Sequence, residues 1–236
     1  MRVLSVFTML DEVSELFRKL RLARKVCLTG GWSVYLLTQK NSKQPKDVDI
    51  IISGEVALKY ADFVKALCSP PLNYYKPHHL HELTFKKPVA AAARSDSDLS
   101  VDLMVDSVDI CKFPVWWSNF GDSHVRCFYH LAFFDRIEDS NSPLPYSGVA
   151  STLAIKAVYY DWLRKSTQSY CLPEEERLKK LERQRSYLES LLGHFRRTEV
   201  LQSLDRLRKK LSKEDRGGAE AVELAISTVK ESWTQK

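Results

Sequence analysis

Apolar residues recur at helical spacing near the start of the chain, and short apolar strands follow. The pattern over residues 8–24 predicts an amphipathic helix, with apolar positions at Leu10, Val13, Leu16, Phe17 and Leu20. The run KVCLTGG at 25–31 predicts a short strand that ends in two glycines. WSVYLLTQ at 32–39 predicts a helix that begins on those glycines.

The middle of the chain is richer in predicted strands. DVDIIIS at 47–53 combines β-branched residues with charges at alternate positions, which is typical of a strand. The other predictions for this region are a helix at 55–68, strands at 78–87 and 99–107, a loop at 89–98, and one or two strands within 123–137.

From Val149 onward the periodicity is helical only. Four helices are predicted, at 149–165, 174–195, 198–212 and 218–233. This order predicts an α+β fold in two domains. Residues 1–145 would form a short mixed sheet flanked by helices, and residues 146–236 a C-terminal helical bundle.

Composition narrows the class of protein. With 44% hydrophobic residues, the 236-residue chain is expected to be globular. No apolar run approaches the roughly 20 residues of a membrane helix, so no membrane partner is expected. The five cysteines are odd in number, widely spaced and without a CxxC motif. They argue against a disulfide framework and favour a cytoplasmic location.

The net charge of +6 is concentrated in one region. Residues 1–163 hold 19 Lys and Arg against 18 Asp and Glu, whereas residues 164–216 hold 15 against 9. The basic region predicts either a solvated helix face or a surface that attracts a polyanion such as RNA. Its helices could also pack as a bundle or form a homo-oligomer.

The pair Asp47 and Asp49 is the first candidate for chemistry. Side chains two apart in a strand share a face, so both carboxylates point the same way. Two neighbouring carboxylates repel each other unless a cation lies between them, and Mg²⁺ prefers such hard oxygen ligands. The pair therefore predicts a site for Mg²⁺ or Mn²⁺, which a third carboxylate from a neighbouring strand would complete.

Gly30 and Gly31 are the second candidate. A strand that ends in glycines and opens a helix presents backbone N–H groups at a helix N-terminus, where phosphate binds. Ser33 could add a hydroxyl donor in the first turn. Taken alone, a Gly-Gly pair could equally form an ordinary tight turn. A phosphate site is favoured only because the pair precedes the Asp-x-Asp strand in the sequence.

The segments LTGGWSVYLL and KDVDIII together resemble the nucleotidyltransferase superfamily, which includes DNA polymerase beta and the CCA-adding enzymes. That superfamily has Gly-Gly or Gly-Ser after an apolar residue, then Asp-x-Asp or Asp-x-Glu, then a later Asp. KQPKDVD further resembles the Arg-x-Thr-Lys-Asp-x-Asp run of the AbiEii-like toxin branch, with Lys43 and Pro45 replacing the Arg and Thr. The stretch 149–165 resembles a Lys-bearing helix of that branch, with Lys156 at the matching position.

The resemblance implies a set of roles. Asp47 and Asp49 would bind the metal, and Asp102 would be the third carboxylate and base, with Asp98 and Asp106 as competitors. The nucleotide would be bound by Gly30, Gly31, Ser33, Lys46 and Lys156. The implied activity is transfer of an NMP from an NTP such as ATP to a hydroxyl on an RNA, protein or small-molecule acceptor. The alternative is an inactive module of the same fold that binds nucleotide, or RNA through the basic helices.

Overall fold

A computed structural model of the chain describes residues 5–39, 41–53, 60–70, 72, 75–80, 90–95, 100–106, 115–117, 125–140, 142–165, 173–211 and 215–234. Its strands are β1 (Val26–Leu28), β2 (Val48–Ser53), β3 (Tyr75–Leu80), β4 (Ala90–Ser95), β5 (Ser100–Asp106), β6 (Val115–Trp117) and β7 (Val125–Cys127). Strands β1 to β5 form one sheet in the order β1-β2-β5-β4-β3, and β6 pairs with β7. Within the larger sheet β2 and β5 run parallel, while the other neighbours run antiparallel.

The helices are α1 (Val6–Lys19), α2 (Gly30–Leu37), α3 (Tyr60–Leu67), α4 (Val149–Lys165), α5 (Glu174–His194), α6 (Arg197–Lys210) and α7 (Arg216–Thr234). In the C-terminal part, α4 packs against α5, α6 and α7. The predicted α+β fold with a mixed sheet and C-terminal helices is thereby confirmed. Among the described residues, no helix is both long and apolar enough to cross a membrane. The domain boundary after residue 145 remains a prediction.

Strand β2 lies between two layers of apolar residues, which explains its run of isoleucines. Val48, Ile50 and Ile52 are buried in the large core, and Ile51 packs on the other side with Cys27 and Ala132. Because side chains alternate along a strand, Asp49 shares the face of Ile51. The strand therefore fixes the direction of this carboxylate through apolar burial on both sides.

Two predictions about elements need correction. The predicted loop at 89–98 is wrong over Ala90–Ser95, which forms β4 between β3 and β5. Pairing along both edges outweighs the weak strand preference of alanine. Helix α1 ends at Lys19, before the predicted end at 24, because Arg21 adopts a left-handed backbone with φ 56°. Of the one or two strands predicted within 123–137, one is present as β7, and residues Tyr129–Phe133 after it form a 3₁₀ helix. The predicted segments 55–59 and 81–87 lie outside the described residues.

A buried ion pair ties this 3₁₀ helix to the start of α7. His130 Nε2 lies 2.7 Å from Asp215 Oδ2, and the backbone N–H of Gly218 donates to Asp215 Oδ1 at 2.8 Å. Burial opposes ionisation of Asp215, but the hydrogen bond and charge of His130 prevail and hold its pKa below the usual value. The pair joins the sheet region to the last helix.

Replacing Asp215 by Asn is expected to lower the free energy of unfolding by about 1–3 kcal/mol near neutral pH, because His130 loses a buried charged partner. A carboxyl with a depressed folded pKa stabilises the fold above its unfolded pKa. Wild-type stability should therefore fall as the pH drops below about 4, and the variant should lack this component. Urea unfolding across this range measures both effects. The exposed Asp205, paired with Arg208 and Lys209, provides the control Asp205→Asn. Parallel pH profiles for wild type and Asp215→Asn would contradict the prediction.

Candidate active site

Gly30 forms the sharp turn between β1 and α2. Its φ is +64°, a left-handed value that favours glycine. A Cβ atom built on Gly30 would lie 1.8 Å from Asp49 Oδ2, so no side chain fits between this backbone and that carboxylate. The glycine thus brings the start of α2 directly against the Asp49 side chain.

Asp47 and Asp49 flank the buried Val48 at the start of β2, and each residue as a whole is half-buried. The Thr29 N–H donates to the Asp49 backbone carbonyl at 3.0 Å, which anchors the glycine turn to this strand. Burial and repulsion from Asp47 raise the pKa of Asp49 to about 6, although Lys156, the Gly31 N–H and Arg183 act in the opposite direction. Keeping the Asp49 carboxylate ionised therefore costs free energy, and a bound cation would offset that cost.

The backbone register pairs Asp102 of β5 with Asp49 of β2. Register-paired positions on neighbouring strands lie side by side on one face of a sheet. The side chain of Asp102 is not among those described, so its participation remains a prediction. Asp106 pairs with Ser53 at the far end of β2, and Asp98 lies outside the described residues. The register therefore favours Asp102 over its two competitors as the neighbour of Asp49.

The donor set at this point suits a hard divalent ion. Asp47 and Asp49 carry carboxylate oxygens, and magnesium and manganese prefer such ligands. Within the part of the chain that the structure describes, no group of three His, Cys, Asp or Glu side chains forms a metal site. Binding of a metal ion by Asp47, Asp49 and Asp102 therefore stays a prediction.

Lys156 is buried in the middle of α4 and faces this site. Its Nζ lies 4.5 Å from the centre of the Tyr187 ring, a cation–π contact with α5. Burial lowers the pKa of Lys156 to about 8, the charge of Asp49 opposes this, and the nearby charge of Arg183 adds to it. Lys156 was predicted from the resemblance alone, and the structure positions it within electrostatic reach of Asp49.

Tyr187 and Arg183 on α5 are neighbours of the site that the sequence did not reveal. A Cβ atom on Gly31 would lie 2.9 Å from the Tyr187 hydroxyl oxygen and 3.5 Å from Pro45 Cβ. Tyr187 is buried, and burial raises the pKa of its hydroxyl. Since about 150 residues separate Gly31 from α5, no local pattern could have indicated this contact.

Ser33 and Lys46 are the two remaining residues that were predicted to bind the nucleotide. The Ser33 hydroxyl is fully buried, donates to the Leu28 carbonyl at 2.9 Å, and shares a hydrogen bond of 2.7 Å with Ser147. It therefore connects α2 to the segment before α4, which leaves no exposed hydroxyl for a nucleotide. Lys46 is exposed beside Asp47. Its predicted contact with nucleotide remains a prediction.

Comparison with known proteins gives a distant likeness to solved structures. No protein-family model and no curated protein sequence matches the chain. The antibiotic-resistance factor ANT(2'')-Ia in complex with adenylyl-2''-tobramycin is 13% identical, with 96% of this chain and 97% of the other covered and a TM-score of 0.47. The lincomycin-bound lincosamide antibiotic adenylyltransferase LnuA is 15% identical, with coverages of 75% and 95% and a TM-score of 0.41.

An antigenic nucleotidyltransferase-like protein from Paracoccidioides brasiliensis is 16% identical, with 90% of this chain and 94% of the other covered and a TM-score of 0.39. The likeness is to nucleotidyltransferases. The AbiEii-like branch stays a prediction from the sequence. Identities and TM-scores in this range assign no activity to the chain.

Proposed function

We propose that this protein is a metal-dependent nucleotidyltransferase that moves an NMP from an NTP to a hydroxyl group of an acceptor. The observation that carries the proposal is the contact of the Gly30 backbone with the Asp49 carboxylate. It supports a single site in which a phosphate-binding helix N-terminus and a metal-binding carboxylate pair lie together.

Each residue of the site would have a separate role in the reaction. Asp47 and Asp49 would hold a divalent ion, which would supply positive charge to the phosphates of the nucleotide. The N-terminus of α2 would orient the phosphate chain, and Lys156 would add a cation. Asp102 would accept the proton of the acceptor hydroxyl. The acceptor oxygen would bond to the α-phosphorus, and the bond from that phosphorus to the leaving pyrophosphate would break.

The acceptor class is open to RNA, protein and small molecules, and we expect a cytoplasmic setting. Cys27 and Cys68 are free thiols among the described cysteines, which supports a reducing compartment. A homo-oligomer formed through the C-terminal helices and a toxin–antitoxin-like role remain expectations from the sequence.

Transfer can be tested with α-labelled and γ-labelled NTPs in the presence of Mg²⁺ or Mn²⁺. The acceptor panel would contain tobramycin, lincomycin, total tRNA and the protein itself, with water as the acceptor in their absence. We expect the α label in the product and release of pyrophosphate. Transfer of the γ label would contradict the proposal. NTP binding without any pyrophosphate release would instead favour the alternative, an inactive binding module.

A further inference from the structure

Helix α5 presents one face to the candidate site. Tyr187 contacts Gly31 with its hydroxyl end and Lys156 with its ring. Arg183 lies four residues earlier, so it projects from the same side of the helix one turn away. Arg183 is exposed, whereas Tyr187 is buried. Arg183 is thus the exposed cation one turn before the tyrosine that contacts the glycine turn.

Arg183 differs from the other Lys and Arg residues of α5. Each of the others pairs with a carboxylate of the same helix: Arg177 with Glu174, Lys179 with Glu175, Lys180 with Glu176, and Arg185 with Glu189. Among the described residues, Arg183 has no carboxylate within 4.0 Å. The guanidinium therefore remains available for an anion that is not part of the described chain.

Arg183 and Lys156 approach the same point from two helices. Lys156 of α4 places its Nζ 4.5 Å from the centre of the Tyr187 ring, and Arg183 lies one turn before Tyr187 on α5. Two cations beside one tyrosine repel each other, and a bound polyanion would remove this repulsion. Asp49 lies nearby, but a divalent ion on Asp47 and Asp49 would neutralise those carboxylates and leave both cations for phosphate oxygens.

We propose that Arg183 binds the phosphates beyond the α-phosphate, the part of an NTP that leaves as pyrophosphate, and that the start of α2 and Lys156 bind the same phosphate chain. This inference rests on the proposed function and adds a residue from the C-terminal helices to the site. The planar guanidinium suits two phosphate oxygens at once, which a lysine in its place would not reproduce.

The test is titration calorimetry of the full chain with Mg²⁺ and the four α,β-methylene ribonucleoside triphosphates. The affinity for the triphosphate analogue that binds most tightly is compared with the affinities for the corresponding monophosphate and for pyrophosphate. For Arg183→Gln we expect the affinity for the triphosphate and for pyrophosphate to fall by about 10- to 100-fold, with monophosphate affinity unchanged. Arg183→Lys should recover part of the loss. Arg185→Gln, on the next exposed arginine, should bind all three ligands like wild type.

The outcomes separate the two proposals. If wild type binds the triphosphate and Arg183→Gln binds it equally well, the inference about Arg183 fails while the proposed function stands. If Arg183→Gln weakens monophosphate binding as much as triphosphate binding, the assignment to the leaving phosphates is wrong. If wild type binds none of the four triphosphates, both proposals fail together. Unfolding temperatures of the variants should match wild type because Arg183 is exposed.

Discussion

Replacing Asp49 by Asn is expected to reduce the rate of nucleotidyl transfer by about 10²- to 10³-fold. A carboxylate that holds a divalent ion contributes several kcal/mol of charge stabilisation in the transition state, and each 1.36 kcal/mol corresponds to about tenfold in rate. Asn keeps the size and one oxygen of Asp49 but loses the negative charge. Single-turnover transfer from α-labelled NTP at saturating Mg²⁺ measures the chemical step.

Thermal unfolding of Asp49→Asn distinguishes a catalytic defect from a folding defect. Burial and the charge of Asp47 disfavour the ionised Asp49 carboxylate, as its pKa of about 6 indicates. Removing that charge relieves the unfavourable interaction, so the metal-free variant should unfold at a temperature no lower than wild type. Asp11→Asn, on the exposed face of α1, is the matched control and should retain full activity. Undiminished transfer by Asp49→Asn would contradict the assignment of the site.

The sequence predicted the helices after residue 149 and the strand at 47–53, because the pattern that produces each element lies within its own residues. Apolar spacing alone located α4, α5, α6 and α7 to within a few residues. The alternating pattern at 47–53 likewise indicated the strand that is found at Val48–Ser53. That Asp47, which precedes β2, shares the face of Asp49 stays a prediction. In both cases the spacing of apolar residues within the element indicates which of its sides is buried.

The parts that could not be predicted depend on distant partners. Strand β4 has the composition of a helix or loop, and it is a strand because β3 and β5 pair with it. Ser33 was expected to face a ligand, yet its hydroxyl bonds to Leu28 and Ser147. Tyr187 and Arg183 reach the site only because α5 packs across α2 and α4. Such contacts between distant residues produce no periodic pattern in the sequence.

Replacing Gly30 by Ala is expected to lower both stability and activity. A left-handed backbone costs a residue with a Cβ atom about 1–2 kcal/mol, and the new atom would overlap Asp49 Oδ2. The carboxylate must therefore move, which should reduce transfer by about 10²-fold or more. Chemical denaturation and single-turnover transfer measure the two effects. A variant with wild-type stability and activity would contradict the geometry described for this turn.

Two comparisons separate the causes of the Gly30→Ala defect. Gly31→Ala is the matched control, because Gly31 is helical with an ordinary φ. Its new Cβ would lie 2.9 Å from the Tyr187 hydroxyl oxygen, the end of a side chain, and at an ordinary 3.5 Å from Pro45 Cβ. Its stability should remain within about 1 kcal/mol of wild type, since Ala favours the helix. In an Asp49→Ala background the overlap is gone, so Gly30→Ala should destabilise less there, by about 1 kcal/mol. Additive effects in this cycle would mean that backbone strain alone requires glycine at position 30, and that its contact with Asp49 is incidental.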